Sequence, residues 1–431
     1  MSKKTLSNQP PKGTADWAPD EFKIRQYIFT TWRRVCQNYG FEEYLTPLLE
    51  SADLYRAKSG EDIGQKELMV FVDQGGRELA LRPEMTPSVT RLVSRIYDAT
   101  PKPIKYFSIA NFMRNERPQR GRNREFWQLN CDIFGSASLN ADLEILTLAL
   151  DVMLAFNPPK GSFCLALNNR QLLDGLLEVI KVKNDLRISV VRLLDKYAKM
   201  TADNFIKSLA DLGLKNTAID IVVKFMTAEN IPDLESKLPE LKNNEGLKDL
   251  AQTIKTLESL GYGDYIEFKS SVIRGFDYYD GLVFEVFDKH PDNNRALFGG
   301  GRYNSLSELF GGQKFSAVGI APGDETTKLF LESWGLLEKI KPVAPEINYL
   351  PLLSSELVLA TQKLAKGLRQ QGMAVELGLE VMKIGKALEY ANKKGLAQVI
   401  IFGEDEANGK FYKIKDMKTG SEKKIKLDNK R

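Results

Sequence analysis

Apolar and polar residues alternate along 106–113 and again along 126–134, and the stretch between them has no apolar period. Alternation with period two marks a half-buried strand, so the pattern predicts an antiparallel hairpin with two long strands. Its tip, 117–124, carries Arg117, Arg120, Arg122 and Arg124. Unpaired guanidinium groups are almost never buried, so the tip faces water or an anion. A solvated tip that discourages aggregation is one reading. Phosphate is the favoured one, because the planar guanidinium fork takes two phosphate oxygens at once.

The rest of the chain is patterned around this hairpin. Ile24, Ile28, Trp32 and Val35 recur at helical spacing after Pro19, with Asp20 expected as the cap and Gly40 as the stop. A strand over 41–47 ends at Pro47, which suits a sheet edge. Runs at 68–72 and 77–81 flank the turn 73–76 and read as a second hairpin. That hairpin delivers Arg82-Pro83-Glu84-Met85-Thr86. Glu84 and Thr86 offer two acceptors for an ammonium group. Thr86-Pro87 also reads as the start of the next helix, and the two readings are compatible.

Farther on, 140–154 is predicted as a core helix and 161–167 as a strand. Between about 169 and 260 leucine and isoleucine recur at helical spacing, charges fill the other face, and strand patterns vanish. Alternation returns at 266–280 and 282–287. Arg274, Asp277, Tyr278 and Tyr279 crowd a cation, an anion and two phenols at one strand end. Gly299-Gly300-Gly301 then allows a close backbone approach, and taken alone hints at a phosphate loop. A strand at 317–321 leads into a helix over 323–331. Past a proline-bounded linker at 339–345, strands and helices alternate, which predicts a small, largely parallel α/β domain. The chain closes with a lysine-rich hairpin over 410–427, either a solvated surface or a source of salt-sensitive phosphate contacts.

Composition narrows the chemistry. The chain has 431 residues, 43% hydrophobic and 27% charged, in keeping with several globular domains. A net charge of +4 excludes a wholesale polycation but not a local basic surface. Cys36, Cys131 and Cys164 are widely spaced, which gives no disulfide framework and fits a reducing cytosol. No apolar run is long enough to span a membrane, and no secretory signal is expected. His290 is the only histidine, so a Ser-His-Asp or His-metal site is not expected.

Phe112-Met113-Arg114-Asn115-Glu116-Arg117-Pro118-Gln119, followed by Gly121-Arg122 and Phe126-Trp127-Gln128, resembles the second signature motif of class II aminoacyl-tRNA synthetases in its histidyl form. Arg274-Gly275-Phe276-Asp277-Tyr278-Tyr279 and Gly299-Gly300-Gly301-Arg302-Tyr303 resemble the two histidine-specific motifs of the histidyl-tRNA synthetases, in the same order along the chain. The resemblance implies an α+β catalytic domain on an antiparallel sheet, in two parts, 1–168 and 261–338. It adds a helical insertion at 169–260, over the tRNA acceptor stem, and a C-terminal α/β anticodon-binding domain at 345–431.

It also implies the partners L-histidine, ATP with Mg²⁺, tRNA(His) and a second copy of the chain, with no membrane. Carried over residue by residue, it makes Arg114 and Arg274 the catalytic cations. Glu84, Met85, Thr86, Arg114, Gln128, Asp132, Arg274, Tyr278, Tyr279 and Tyr303 form the histidine pocket, with Glu84 and Tyr279 expected at the ring nitrogens and Tyr303 nearby. Arg114, Glu116, Arg122, Phe126 and position 326 meet ATP. No metal-ligating residue is assigned. The chain departs from the pattern at Thr326, where the third class II motif carries an arginine. That departure keeps a synthetase-like paralogue without aminoacylation as an alternative; a plain RNA-binding protein, using the basic hairpin and the lysine-rich tail, is a second one.

Overall fold

A computed structural model describes residues 6–57, 66–273, 278–293, 295–311, 313–339 and 346–427. The chain divides into two compact units, Met1–Ile340 and Lys341–Arg431.

In the first unit, helix α1 (Pro19–Asn38) is followed by short strands β1 (Glu42–Glu43) and β2 (Leu49–Ser51) and by helix α2 (Ala52–Arg56). Pro19 takes the first helical position and Ala18 is the N-cap, so Asp20 is not the cap; it lies in the first turn and receives Lys23 at 2.7 Å. Strands β3 (Met69–Val72) and β4 (Glu78–Leu81) form the expected hairpin, and β4 also pairs with β2. Helix α3 (Thr86–Ile96) comes next, then the long hairpin β5 (Ile104–Met113) and β6 (Glu125–Phe134), helix α4 (Leu139–Leu154) and strand β7 (Phe163–Asn169). Six helices follow, with no strand among them: α5 (Arg170–Val179), α6 (Asn184–Asp195), α7 (Ala202–Asp211), α8 (Asn216–Met226), α9 (Ile231–Lys237) and α10 (Glu245–Ser259). The unit returns through β8 (Ile266–Phe268), β9 (Leu282–Asp288), β10 (Ala296–Tyr303), β11 (Ala317–Ile320) and helix α11 (Asp324–Ser333).

Eight strands form the main sheet in the order β1-β5-β6-β11-β10-β9-β7-β8, antiparallel except at its two ends, where β1 and β8 pair in parallel. The strand expected over 41–47 is only two residues long here, at that edge. Register decides what faces what. Tyr106 pairs with Asp132, Ser108 with Asn130, Ala110 with Gln128 and Phe112 with Phe126, so these eight side chains share one face. Phe107, Leu129, Cys131 and Ile133 point the other way into the core with Trp32, Ile145 and Leu148. Buried there, the free thiols of Cys36 and Cys131 lie 3.1 Å apart, a contact that their sequence spacing hides.

Glycines 299–301 sit within β10, a strand near the middle of the sheet, so the phosphate-loop hint is corrected. They allow close strand packing instead. A β-carbon on Gly300 would meet the Gly319 carbonyl oxygen at 2.1 Å, and one on Gly301 would meet the Leu282 carbonyl oxygen at 2.7 Å.

The second unit comprises β12 (Asn348–Leu352), α12 (Val358–Gln370), β13 (Val375–Val381), α13 (Ile384–Lys393), β14 (Gln398–Ile401), α14 (Glu404–Asn408), β15 (Phe411–Asp416) and β16 (Glu422–Lys426). Its sheet order is β13-β12-β14-β15-β16; the first three strands are parallel and the last two antiparallel, so it is less parallel than expected. The linker expected at 339–345 falls largely outside the described residues. No described helix is long and apolar enough to cross a membrane.

Candidate active site

The site lies on the sheet face carrying Ser108, Asn130 and Asp132. Asp132 is 4% exposed, and the Tyr303 hydroxyl donates to its Oδ1 at 2.7 Å. Burial pushes the Asp132 carboxyl up to about 7, with the tyrosine hydrogen bond opposing the shift. The Tyr44 hydroxyl, which sequence reasoning missed, is buried near this carboxylate, and burial raises its pKa well above the usual phenol value. The hydroxyls of Tyr44 and Ser108 lie buried beside each other, and Nδ2 of Asn130 is buried with no hydrogen-bond partner among the described residues. Buried polar atoms cost free energy unless something bonds them, so this floor is built for a polar ligand.

Two glycines let the Asp132 carboxylate and the Tyr279 ring lie close against the sheet. Gly301 and Gly319 are cross-strand partners beside Asp132. A β-carbon on Gly319 would meet Asp132 Oδ1 at 2.0 Å, and one on Gly301 would meet the Tyr279 ring at 2.8 Å. The carboxylate and the Tyr279 ring thus line one polar face of the sheet, each lying directly against strand backbone. At its wall, the buried Tyr278 hydroxyl donates to Glu84 Oε2 at 3.1 Å. Sequence reasoning paired Glu84 with Tyr279 across the ligand; here Tyr278 touches the carboxylate, and Tyr279 packs against Tyr278 with ring centroids 4.8 Å apart. Met85 is fully buried and its sulfur accepts from Thr46, so it supports the pocket from behind. Thr86 is half-buried at the first position of α3.

Buried Arg82 fixes this wall. It donates to the carbonyl oxygens of Thr46 at 2.7 Å and Asn111 at 2.9 Å, joining the segment before β2 to β5. Arg302 does the same at the end of β10: both oxygens of Asp142 in α4 receive its guanidinium, at 2.8 and 2.7 Å. That clamp holds the strand end from which Tyr303 projects. Gln128 Nε2 donates to the Ala321 carbonyl oxygen at 3.1 Å.

The other end of the site is the basic loop. Arg114 Nε donates to the Pro83 carbonyl oxygen at 3.0 Å, and its guanidinium lies 5.0 Å from the centroid of the Phe126 ring, which stacks on Phe112. Arg114 thus touches the Glu84 segment and the aromatic platform together. Glu116 faces Arg122 at 3.7 Å. Trp127 N donates to the buried Asp324 carboxylate at 2.9 Å; Arg25 of α1 pairs with Asp324 at 3.1 Å and also with Glu325. This tie among the first helix, β6 and the start of α11 joins residues about 300 positions apart. Nothing in the local pattern announces it. Thr326, one turn into α11, has its hydroxyl on the Leu297 carbonyl oxygen at 2.8 Å. Arg274 lies outside the described residues. His290 packs edge-on against Trp334.

The mostly antiparallel sheet, the basic loop beside an aromatic platform and the buried polar pairs along one face fit the class II aminoacyl-tRNA synthetase form that the sequence motifs resemble. Residues 13–323 match the family described as histidyl-tRNA synthetase, and residues 346–430 match an anticodon binding domain. The histidine–tRNA ligase of Leptospira biflexa serovar Patoc is 40% identical over 422 residues, 97% of this chain and 95% of that protein. The one from Pyrococcus furiosus is 36% identical over 424 residues, 97% of this chain and 96% of that protein. Among solved structures, the histidyl-tRNA synthetase of Nostoc sp. PCC 7120 superposes with a TM-score of 0.80 at 23% identity, covering 98% of this chain and 97% of the other, which speaks for the fold alone. The chain belongs to the histidyl-tRNA synthetase family.

Proposed function

We propose that this chain is a histidine–tRNA ligase, which activates L-histidine with ATP and transfers it to the 3′ end of tRNA(His). The supporting observation is the buried polar cluster of Asp132 with Tyr303 and Glu84 with Tyr278, whose Glu84 segment is bonded by Arg114 through the Pro83 carbonyl oxygen. Asp132, Thr86 and Gln128 take the α-ammonium, with Gln128 turning from Ala321. Glu84, Tyr278, Tyr279 and Tyr303 read the imidazole, which needs a partner at each nitrogen. Phe126 stacks on adenine, Glu116 bonds its edge, and Arg122 meets the phosphates. Mg²⁺ enters with ATP as the substrate complex, held by phosphate oxygens and water as a hard ion prefers.

The histidine carboxylate attacks the α-phosphorus and pyrophosphate leaves. Arg114 and Arg274 neutralise the approach of two negative groups, an electrostatic and positional contribution. A terminal ribose hydroxyl of the tRNA then attacks the adenylate carbonyl and AMP leaves, with a phosphate oxygen of the adenylate taking the proton. Residues 345–431 serve as the anticodon-binding domain and 169–260 as the insertion over the acceptor stem. The protein works in the cytoplasm as a homodimer; Leu45, Leu49 and Val72, 71%, 45% and 63% exposed, lie on or beside the three-stranded sheet and suit a second copy. A monomer mass in sedimentation would count against the dimer. Pure protein should charge tRNA(His) with histidine when ATP and Mg²⁺ are supplied. Absence of charging with histidine-dependent adenylate formation intact would favour a paralogue without aminoacylation; absence of both would favour a plain RNA-binding protein.

A further inference from the structure

Thr326 stands where the family pattern carries an arginine toward the γ-phosphate, and its hydroxyl is turned inward. It donates to the Leu297 carbonyl oxygen at 2.8 Å, with that of Gly323 at 3.1 Å, so it ties α11 to β10 and brings no charge. Arg295, just before β10, is exposed and reaches the basic loop. Its Nη1 donates to the Arg120 carbonyl oxygen at 2.9 Å and its Nη2 to Gln119 Oε1 at 3.3 Å. The loop tip in turn rests on α11: Gly121 has φ +74°, and a β-carbon there would meet Leu329 Cδ1 at 2.8 Å. Leu329 is three residues past Thr326 and so lies on the same helical face. Helix, strand end and loop tip therefore close a triangle, and Arg295 brings a cation to it.

Three nearby cations are engaged elsewhere. Lys328 pairs with Glu332 at 3.5 Å, Arg122 with Glu116 at 3.7 Å, and Arg124 Nε donates to the Glu116 carbonyl oxygen at 3.3 Å. Arg295, like Arg124, bonds neutral groups that leave its charge uncancelled, and unlike Arg124 it ties the start of β10 to the loop tip that rests on α11. A guanidinium has five N–H donors, so two bonds to the loop leave others for phosphate oxygens. We infer that Arg295 is an ATP-positioning residue: it pins the basic loop over the first turn of α11 and supplies, from the neighbouring strand, the positive charge that position 326 lacks. The inference rests on the adenylating reading above.

Histidine-dependent exchange of pyrophosphate into ATP, measured on the full chain, tests it. Arg295→Ala should raise the KM for ATP about tenfold and leave kcat and the KM for histidine within about twofold, the signature of lost ground-state grip. Arg295→Lys should recover part of the loss. Adding Thr326→Arg to Arg295→Ala should bring the KM for ATP back toward the parent. A merely structural role would lower kcat or raise both KM values, with no recovery from Thr326→Arg, and would overturn the inference. An unchanged KM for ATP in Arg295→Ala overturns it while leaving adenylation standing. A parent without histidine-dependent exchange overturns both.

Discussion

At the end of the site proposed to hold the amino acid, Glu84, Asp132, Tyr278 and Tyr303 are each no more than 4% exposed and bonded to one another in pairs. At the end proposed to hold the nucleotide, Arg117, Arg120, Arg122 and Arg295 are exposed on a loop and a strand end, where Arg122 and Arg295 contact loop groups. Under the proposed function the first end is set before the substrate arrives, and Asn130 Nδ2, which has no hydrogen-bond partner among the described residues, would stay unpaired against an apolar isostere. Discrimination of that kind can be steep without editing. The second end can re-aim, which suits a triphosphate bound by charge. Fidelity is thus invested in the closed end and grip in the open one.

Arg274 joins the two ends in this account, and its removal should have the largest effect. Arg274→Ala should slow adenylate formation by about 10²–10³ in a single-turnover assay, as expected for a charge contact made mainly in the transition state. A near-parental rate would show that the ends are joined by something else.

Gly319→Ala should injure the closed end alone. Its β-carbon would press on Asp132 Oδ1 and, at 2.8 Å, on the Cys131 carbonyl oxygen. Overpacking costs about 1–3 kcal/mol, so kcat/KM for histidine should fall about tenfold or more while the KM for ATP holds. An unchanged histidine KM in a folded variant would remove the Asp132 carboxylate from the argument.

The closed end should also carry a pH signature. Burial holds the Asp132 carboxyl at about 7, above the unfolded value of about 3.9. Between those values the folded protein binds more protons than the unfolded chain. The stability this group contributes is therefore present at low pH and is lost as pH rises through about 7. Binding runs the other way, because the ammonium needs the carboxylate: the histidine KM should fall several-fold from about pH 6 to about pH 8. Asp324, also near 7 through burial and paired with Arg25, titrates in the same window. The comparison with Asp132→Asn isolates Asp132, and imidazole titration of the substrate is common to both proteins. A KM profile identical in that variant would contradict the assignment.

Much of this arrangement was legible in local pattern. Period two along 126–134 places Phe126, Gln128 and Asp132 on one face, and the register agrees. The arginine-rich tip announced the open end for the same reason: charge without apolar period has to stay near water. The closed end was less visible. Whether Tyr278 or Tyr279 meets Glu84, and that Tyr44 lies near Asp132, depends on how distant segments cross. The triple glycine misled because a strand that admits close neighbours and a loop that admits phosphate need the same missing side chain. Arg25 with Asp324 and Arg302 with Asp142 are buried pairs of distant residues, and no periodicity encodes a partner.

Thr326→Arg should have the smallest effect, confined to the open end. A charged contact is worth about 1.5–3 kcal/mol at most, and the lost bond to Leu297 takes back about 0.5–1.5 kcal/mol. With Arg295 already in place, the KM for ATP should fall only a few-fold, and that for histidine should not move. A shift in the histidine KM would show that the two ends are not separable.

The most direct measurement is amino-acid-dependent exchange of pyrophosphate into ATP, run on the pure full-length protein with each standard amino acid in turn at saturating ATP and Mg²⁺. Exchange should occur with L-histidine and with no other. Exchange with a different amino acid, or none with histidine in folded protein, would contradict the reading of the closed end as a histidine pocket.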